Sequence, residues 1–198
     1  SRSTENALLE QLRGFLPKEV PIIPFFFYKD KDKPEGNYFS VFSSQEVYDD
    51  FLKAGFRPLI KEYIITNRTM FNNQLDTILT LPRNQRILLV NDSPVSALES
   101  IDHLKDIGFD FLHLVPYYPG CQSVPKDISI AITPGEVDKV PPGIDAVYNI
   151  GTRVMDFPTV VKIMSHYGVL EQKTQDYANL YLTNILDFAK RVSNIADE

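Results

Sequence analysis

The chain has 198 residues, enough for one sizeable α/β domain or two small lobes. A net charge of −6 with no run of Lys or Arg excludes a fragment that grips nucleic acid by itself, because phosphate binding needs a basic face. Hydrophobic residues at 43% support a full core, yet no apolar run approaches the roughly 20 residues of a membrane span.

Cys121 is the single cysteine, which rules out an internal disulfide or a cysteine-rich metal site and fits a reducing compartment. No signal peptide is visible, Ser1-Arg2-Ser3 has the look of a cloning remnant, and the expected location is cytoplasmic.

Three segments are expected: an N-terminal α/β portion (1–82), a parallel α/β sheet domain (83–172) and an exit helix (173–198). In the first, Leu8, Leu9, Leu12 and Phe15 lie at helical spacing. The run Val20–Tyr28 reads as a strand, placed at an edge or made irregular by Pro21 and Pro24. Lys29–Gly36 mixes both charge signs and reads as a solvated loop. Tyr38–Phe42 is a second strand, and Ser43 with Glu46 predicts a capping box for a helix that stops at Gly55. Tyr63–Thr66 suggests a strand, and Phe71, Leu75, Ile78 and Leu79 a helix ended by Pro82.

The pattern then sharpens. Arg86–Asn91 is an apolar run suited to a strand buried on both faces. Ser93 caps a helix with Pro94 at its first position, Val95, Leu98, Ile101, Leu104 and Ile107 along one stripe, and Gly108 at its end. Strands are expected over Asp110–Val115, Ile128–Thr133 and Asp145–Ile150, and Asp156 caps a helix through Gly168. The fold class is therefore α/β, an open and mostly parallel sheet with helices on its faces, Rossmann-like. In the last helix, Ala178, Tyr181, Ile185, Phe188, Val192 and Ile195 follow the 3-4 spacing of a coiled-coil seam, with Leu180, Leu182 and Leu186 widening it. Packing on its own domain is the plain reading of that stripe; association with a second copy is the other.

The Asn91-Asp92-Ser93 turn invites comparison with phosphorylatable receiver domains, but that reading fails. The first acid of the metal-binding pair is Asn91, no aspartate ends the next strands, and Gly151-Thr152-Arg153 stands where a lysine is required. The strand ends offer another chemistry. If the sheet is parallel, Asn91, Asp92, Ser93, Tyr117, Tyr118, Thr133, Glu136 and Arg153 gather on one rim, where open α/β sheets bind ligands. Aromatic faces, a helix N-terminus, two acids and an arginine are what a small-molecule pocket uses. The bland alternatives are an edge-covering turn at Tyr117-Tyr118, a solvated Glu136, and an Arg153 paired with Asp156 or Asp92. His103 is expected to be exposed, His113 half-buried, and His166 without a partner. The histidines share no metal-ligand spacing, and neither a nucleophile elbow nor a glycine-rich phosphate loop is present. No catalytic residue, cofactor or metal is assigned.

The phrases "LLVNDSPVSALESIDHLKDIGFDFLHLVPYYPG", "ISIAITPGEVDKVPP" and "DAVYNIGTRVMDFPTVVKIM" resemble the sensory region of sigma-54-dependent transcription regulators of Gram-positive bacteria. The resemblance covers Arg86–Met164 and the exit helix. It implies a sheet akin to one lobe of a periplasmic-binding-protein fold, serving as a regulatory input. The resemblance implies an output module coupled through the exit helix; the expected partners are a small-molecule effector or a protein and, from the seam spacing, a second copy through the C-terminal helix. Direct nucleic-acid or membrane contact is not implied. The rival expectation is a sugar-nucleotide or phosphosugar enzyme, with Arg153 on a phosphate and Asp92 or Glu136 as acid or base.

Overall fold

The computed structural model describes residues 2–29, 36–58, 61–70, 74–83, 85–121 and 123–196. Packing divides the chain into two compact units, each discontinuous in sequence. Met70–Arg153 and Leu182–Glu198 form a sheet unit; Arg2–Thr69 and Val154–Tyr181 form a ring unit. This division follows packing and cuts across the segments 1–82, 83–172 and 173–198.

In the sheet unit, β-strands at Arg86–Val90, His113–Tyr117, Ile130–Thr133 and Ala146–Asn149 run parallel and side by side. We number them β4, β5, β6 and β7 for their place in the whole chain; their spatial order is β5-β4-β6-β7. The fold is α/β, as the sequence predicts. Ile87, Leu88, Leu89 and Val90 are all fully buried, which is why β4 reads as unbroken apolar sequence rather than as an alternation. Ile87 and Leu89 face Ala97, Ile101 and Leu104 of helix α4 (Pro94–Leu104), whereas Leu88 and Val90 face Ile128, Ala131, Val124, Val140 and Ile144. Helices flank the sheet as expected, and the connections after β5 and β6 pack against Leu88 and Val90. Those connections carry Pro119, Gly120, Pro125, Pro134, Gly135, Pro141, Pro142 and Gly143, and among the described residues they hold one 3-10 turn, at Val137–Lys139.

Ser93 caps α4 as expected, its Oγ accepting the Ser96 N–H at 3.1 Å, with Pro94 in the first turn. The helix is followed by a wide turn, Lys105–Phe109, in which Gly108 takes φ 103°. That turn uses up the residues through Leu112, so β5 starts at His113 rather than Asp110 and extends through Pro116. Pro116 is tolerated because β5 is an edge strand. The backbone carbonyl of Tyr117 faces β4, accepting the Asn91 N–H at 3.0 Å. By alternation Leu114 and Pro116 face outward; the Leu114 N–H goes to the Leu112 carbonyl at 3.1 Å, and Pro116 has no N–H. His113 is exposed rather than half-buried.

The ring unit opens with α1 (Arg2–Phe15), whose Leu12 and Phe15 are buried with Ile64, Met155, Val160, Ile163 and Met164. Strands β1 (Ser40–Phe42) and β2 (Tyr63–Ile65) pair parallel across α2 (Gln45–Lys53). The α2 cap is Ser44, one residue beyond the expected Ser43, because Ser44 holds extended φ/ψ and its side chain accepts the Val47 N–H. Val20–Tyr28 is not a strand: Pro21 and Pro24 withhold two N–H donors, and the rings of Phe25 and Phe27 pack on Phe56, with Phe27 also on Phe51. Strand β3 (Arg68–Thr69) pairs antiparallel with β8 (Val154–Met155), two short strands the sequence does not announce. Gln11 supplies β8 with a surrogate partner, its amide donating to the Met155 carbonyl at 2.9 Å and accepting the Met155 N–H at 2.8 Å. Asp156 then caps α5 (Phe157–His166), accepting the Thr159 N–H as predicted.

Of the helix expected from Phe71, Phe71 itself lies outside the described residues; the remainder is the single turn α3 (Asp76–Leu79). The last helix, α6, spans Leu170–Ala196. In the ring unit its Tyr177 and Tyr181 lie 5.8 and 5.4 Å from Phe157. In the sheet unit Phe188 packs near Phe109, and Arg191 pairs with Asp76 at 2.8 Å. Two members of the expected seam, Tyr181 and Phe188, are therefore spent on the chain's own packing. Val192 and Ile195 lie outside the described side chains. Leu182, Ile185 and Leu186 point to solvent.

Candidate functional site

Because β4, β5, β6 and β7 run parallel, the turns that follow them lie along one edge of the sheet. Chain order reverses between β4 and β6, so the switch point of the sheet falls between the Asn91-Asp92-Ser93 turn and the Thr133–Glu136 turn.

Most of the sequence-predicted residues build this rim from inside. Asn91 is 5% exposed; its Nδ2 donates to the Ser96 carbonyl and to Ser100 Oγ, both at 3.1 Å, while its Oδ1 accepts the Asp92 N–H at 2.8 Å. Asn91 thus ties the end of β4 to the start of α4, which an aspartate could not do because it lacks the N–H donors. Thr133 is fully buried and accepts the Glu136 N–H at 2.9 Å. Glu136, expected in solvent, is 4% exposed: the turn closed by Thr133 folds it inward. Arg153, 5% exposed, pairs with Glu99 of α4 at 3.1 Å instead of with Asp156 or Asp92. Tyr117 and Tyr118 are half-buried and cover opposite faces of the sheet edge, and the Tyr118 carbonyl closes a turn onto the Cys121 N–H. Ser93 is partly exposed, and Asp92 alone among the predicted residues is exposed.

Two residues complete the rim that sequence reasoning missed. Asn149 Oδ1 accepts both the Gly135 N–H at 3.1 Å and the Gly151 N–H at 3.0 Å, holding the turns after β6 and β7 together. Gly135 has φ 91°, and a Cβ there would lie 2.3 Å from Thr152 Oγ1, so only glycine fits where these turns meet. Lys139 lies in the 3-10 turn beyond Glu136. Its pKa is raised, chiefly by the bond to Asp138 and further by the charges of Glu136 and Asp92. The same ammonium holds the Asp138 carboxyl below its ordinary value. The accessible chemistry of the switch point is thus one lysine with two exposed acids, Asp92 and Asp138, bordered by tyrosine, while Glu136 acts on Lys139 from inside the turn.

The other histidines also differ from expectation. His103 is half-buried, because α4 turns it inward to accept the Met70 N–H. His166 has partners: Glu62 at 3.3 Å, and the Phe39 ring stacked at 3.9 Å. With Lys162, Ser165, Tyr63, Ile64 and Ile65 these line an open hollow of about 490 Å³ in the ring unit, alongside β2. Among the described residues no group of three His, Cys, Asp or Glu is arranged to hold a metal ion, and no helix is long and apolar enough to cross a membrane.

No protein-family model, curated protein or solved structure matches this chain.

Proposed function

We propose that the chain is a cytoplasmic sensing domain of a bacterial transcription regulator. It takes up a small effector or a partner on the carboxyl edge of its parallel sheet and passes that state through α6 to an output module, as a homodimer. The observation that carries this reading is the convergence of four polar turns on one sheet edge around the β4/β6 switch point. The resemblance of its motif order to that of sigma-54-dependent regulators is what suggests the regulatory sense. The exposed Leu182, Ile185 and Leu186 of α6 supply an apolar face for a second copy. A ligand acts only by favouring one arrangement of that helix over another, so sensing requires two such arrangements.

The enzyme reading draws less support. It needs Arg153 free for a phosphate, but Arg153 is buried against Glu99. The groups with shifted pKa at the rim, Asp138 and Lys139, form an exposed ion pair rather than a sheltered acid and base.

The test is a thermal-shift screen against a metabolite panel, followed by amide chemical-shift mapping of any hit. Perturbations centred on Asp92, Tyr118, Gly135 and Lys139, lost in Lys139→Glu, are the expected result. Hits that map away from these turns sink the proposed site. A chain that stays monomeric at high concentration sinks the dimer.

A further inference from the structure

Within the sheet unit, the chain enters at Met70 and leaves through Arg153. Both points are fastened to one face of α4 by residues four apart, the spacing that puts side chains on the same side of a helix. Glu99 holds the Arg153 guanidinium at 3.1 Å, and Nε2 of His103 accepts the Met70 backbone N–H at 3.3 Å. The two fastenings differ in kind. Arginine stays charged throughout the working pH range, whereas an imidazole nitrogen accepts a hydrogen bond only while it carries no proton.

We propose that His103 is a proton-operated clasp on the point where the chain enters the sheet unit: the neutral ring holds the Met70 N–H, and the protonated ring releases it. Protonation turns Nε2 into a donor facing another donor, so the bond is replaced by repulsion. The Met70 side chain, 3% exposed and packed in the main core cluster, stays anchored, so release frees the backbone locally rather than unfolding the unit. The inference needs no ligand on the sheet rim.

The surroundings favour the neutral ring. Burial lowers the His103 pKa, the Arg153 charge lowers it further, and Asp106 opposes them. Glu99, one turn earlier on α4, is bound to Arg153. Since the folded pKa lies below the unfolded one, the unfolded chain binds more protons between the two, and stability rises with pH across that window. The clasp is therefore closed at neutral pH and opens as pH falls through the folded midpoint, below the ordinary histidine value of about 6.5.

The experiment follows the His103 ring by NMR while measuring hydrogen exchange of the Met70 amide, corrected for intrinsic pH dependence, on the full chain. Met70 protection is expected to fall about five- to tenfold as His103 titrates, the loss of roughly one hydrogen bond, with β4 amides unchanged. In His103→Gln, whose amide oxygen accepts the same N–H without titrating, protection should stay level with pH. In His103→Ala it should be low at every pH. Met70 protection that ignores the His103 titration, or a pH response that persists in His103→Gln, overturns the clasp. His103→Gln keeps the test decisive should His103→Ala fold poorly.

Discussion

In the sheet unit, strands of four and five residues pair in register, and aliphatic side chains from Ile87 to Val90 fill the space on both faces. In the ring unit the strands are two or three residues long, and Phe51 sits at the centre of a ring cluster with Phe42 at 5.1 Å, Phe56 at 5.4 Å and Phe27 at 5.8 Å. The first unit draws its order from backbone ladders. The second draws it from ring edges, and from side chains that stand in for missing strands, as Gln11 does for β8. Hydrogen-bonded ladders hold strands in place through the backbone, whatever the side chains. A ring cluster does the reverse, so single side chains should matter more there.

The sharpest test of that contrast is Phe51→Ala, which removes the hub of the cluster. It should cost about 3–5 kcal/mol in urea unfolding followed by circular dichroism, while Leu89→Ala, a comparable truncation in β4, is expected near the lower end of its range, about 2–3 kcal/mol. Similar losses for the two would erase the distinction. Next comes Gln11→Ala, which strips both backbone groups of Met155 of their surrogate partner and should cost about 1–3 kcal/mol. Asn91→Ala should fall in the same range, about 1–3 kcal/mol, because it orphans buried groups at the start of α4. A loss near zero would mean that water replaces it and that the sheet edge is less dry than its exposure indicates. The smallest effect concerns Tyr48 and Tyr63, whose rings stack at 4.9 Å with hydroxyls 2.8 Å apart. The bond to Tyr63 raises the Tyr48 pKa, so the folded chain favours the protonated phenol, and this preference fades as pH rises through the folded value. Ultraviolet titration of Tyr63→Phe should show Tyr48 ionising at lower pH than in the parent chain.

The fold was legible where one local signal decided the outcome. The unbroken apolar run of β4, the Ser93-Pro94 helix start and the Asp156 cap all depend on neighbours in sequence, and all lie where expected. Val20–Tyr28 misled because aromatic runs serve ring clusters as readily as strands, and only tertiary contact separates the two. Strands β3 and β8 are too short to leave a periodic trace. The rim was legible as a location, since parallel strands follow from β4 and its helix. The state of its residues was not. Glu136 and Arg153 look like surface charges in sequence, and their burial depends on a turn closed by Thr133 and on Glu99, 54 positions away from Arg153. Asn149 and Lys139 carried no motif at all, because their roles arise only when separate turns meet.

The outer margin of β5 has a further consequence. With the Leu114 amide turned back on Leu112 and Pro116 offering none, this border gives an incoming peptide no donor to grasp. A visiting chain meets only the Leu114 and Pro116 carbonyls there, so a strand added on the side where the ladder is longest would form with half its bonds missing.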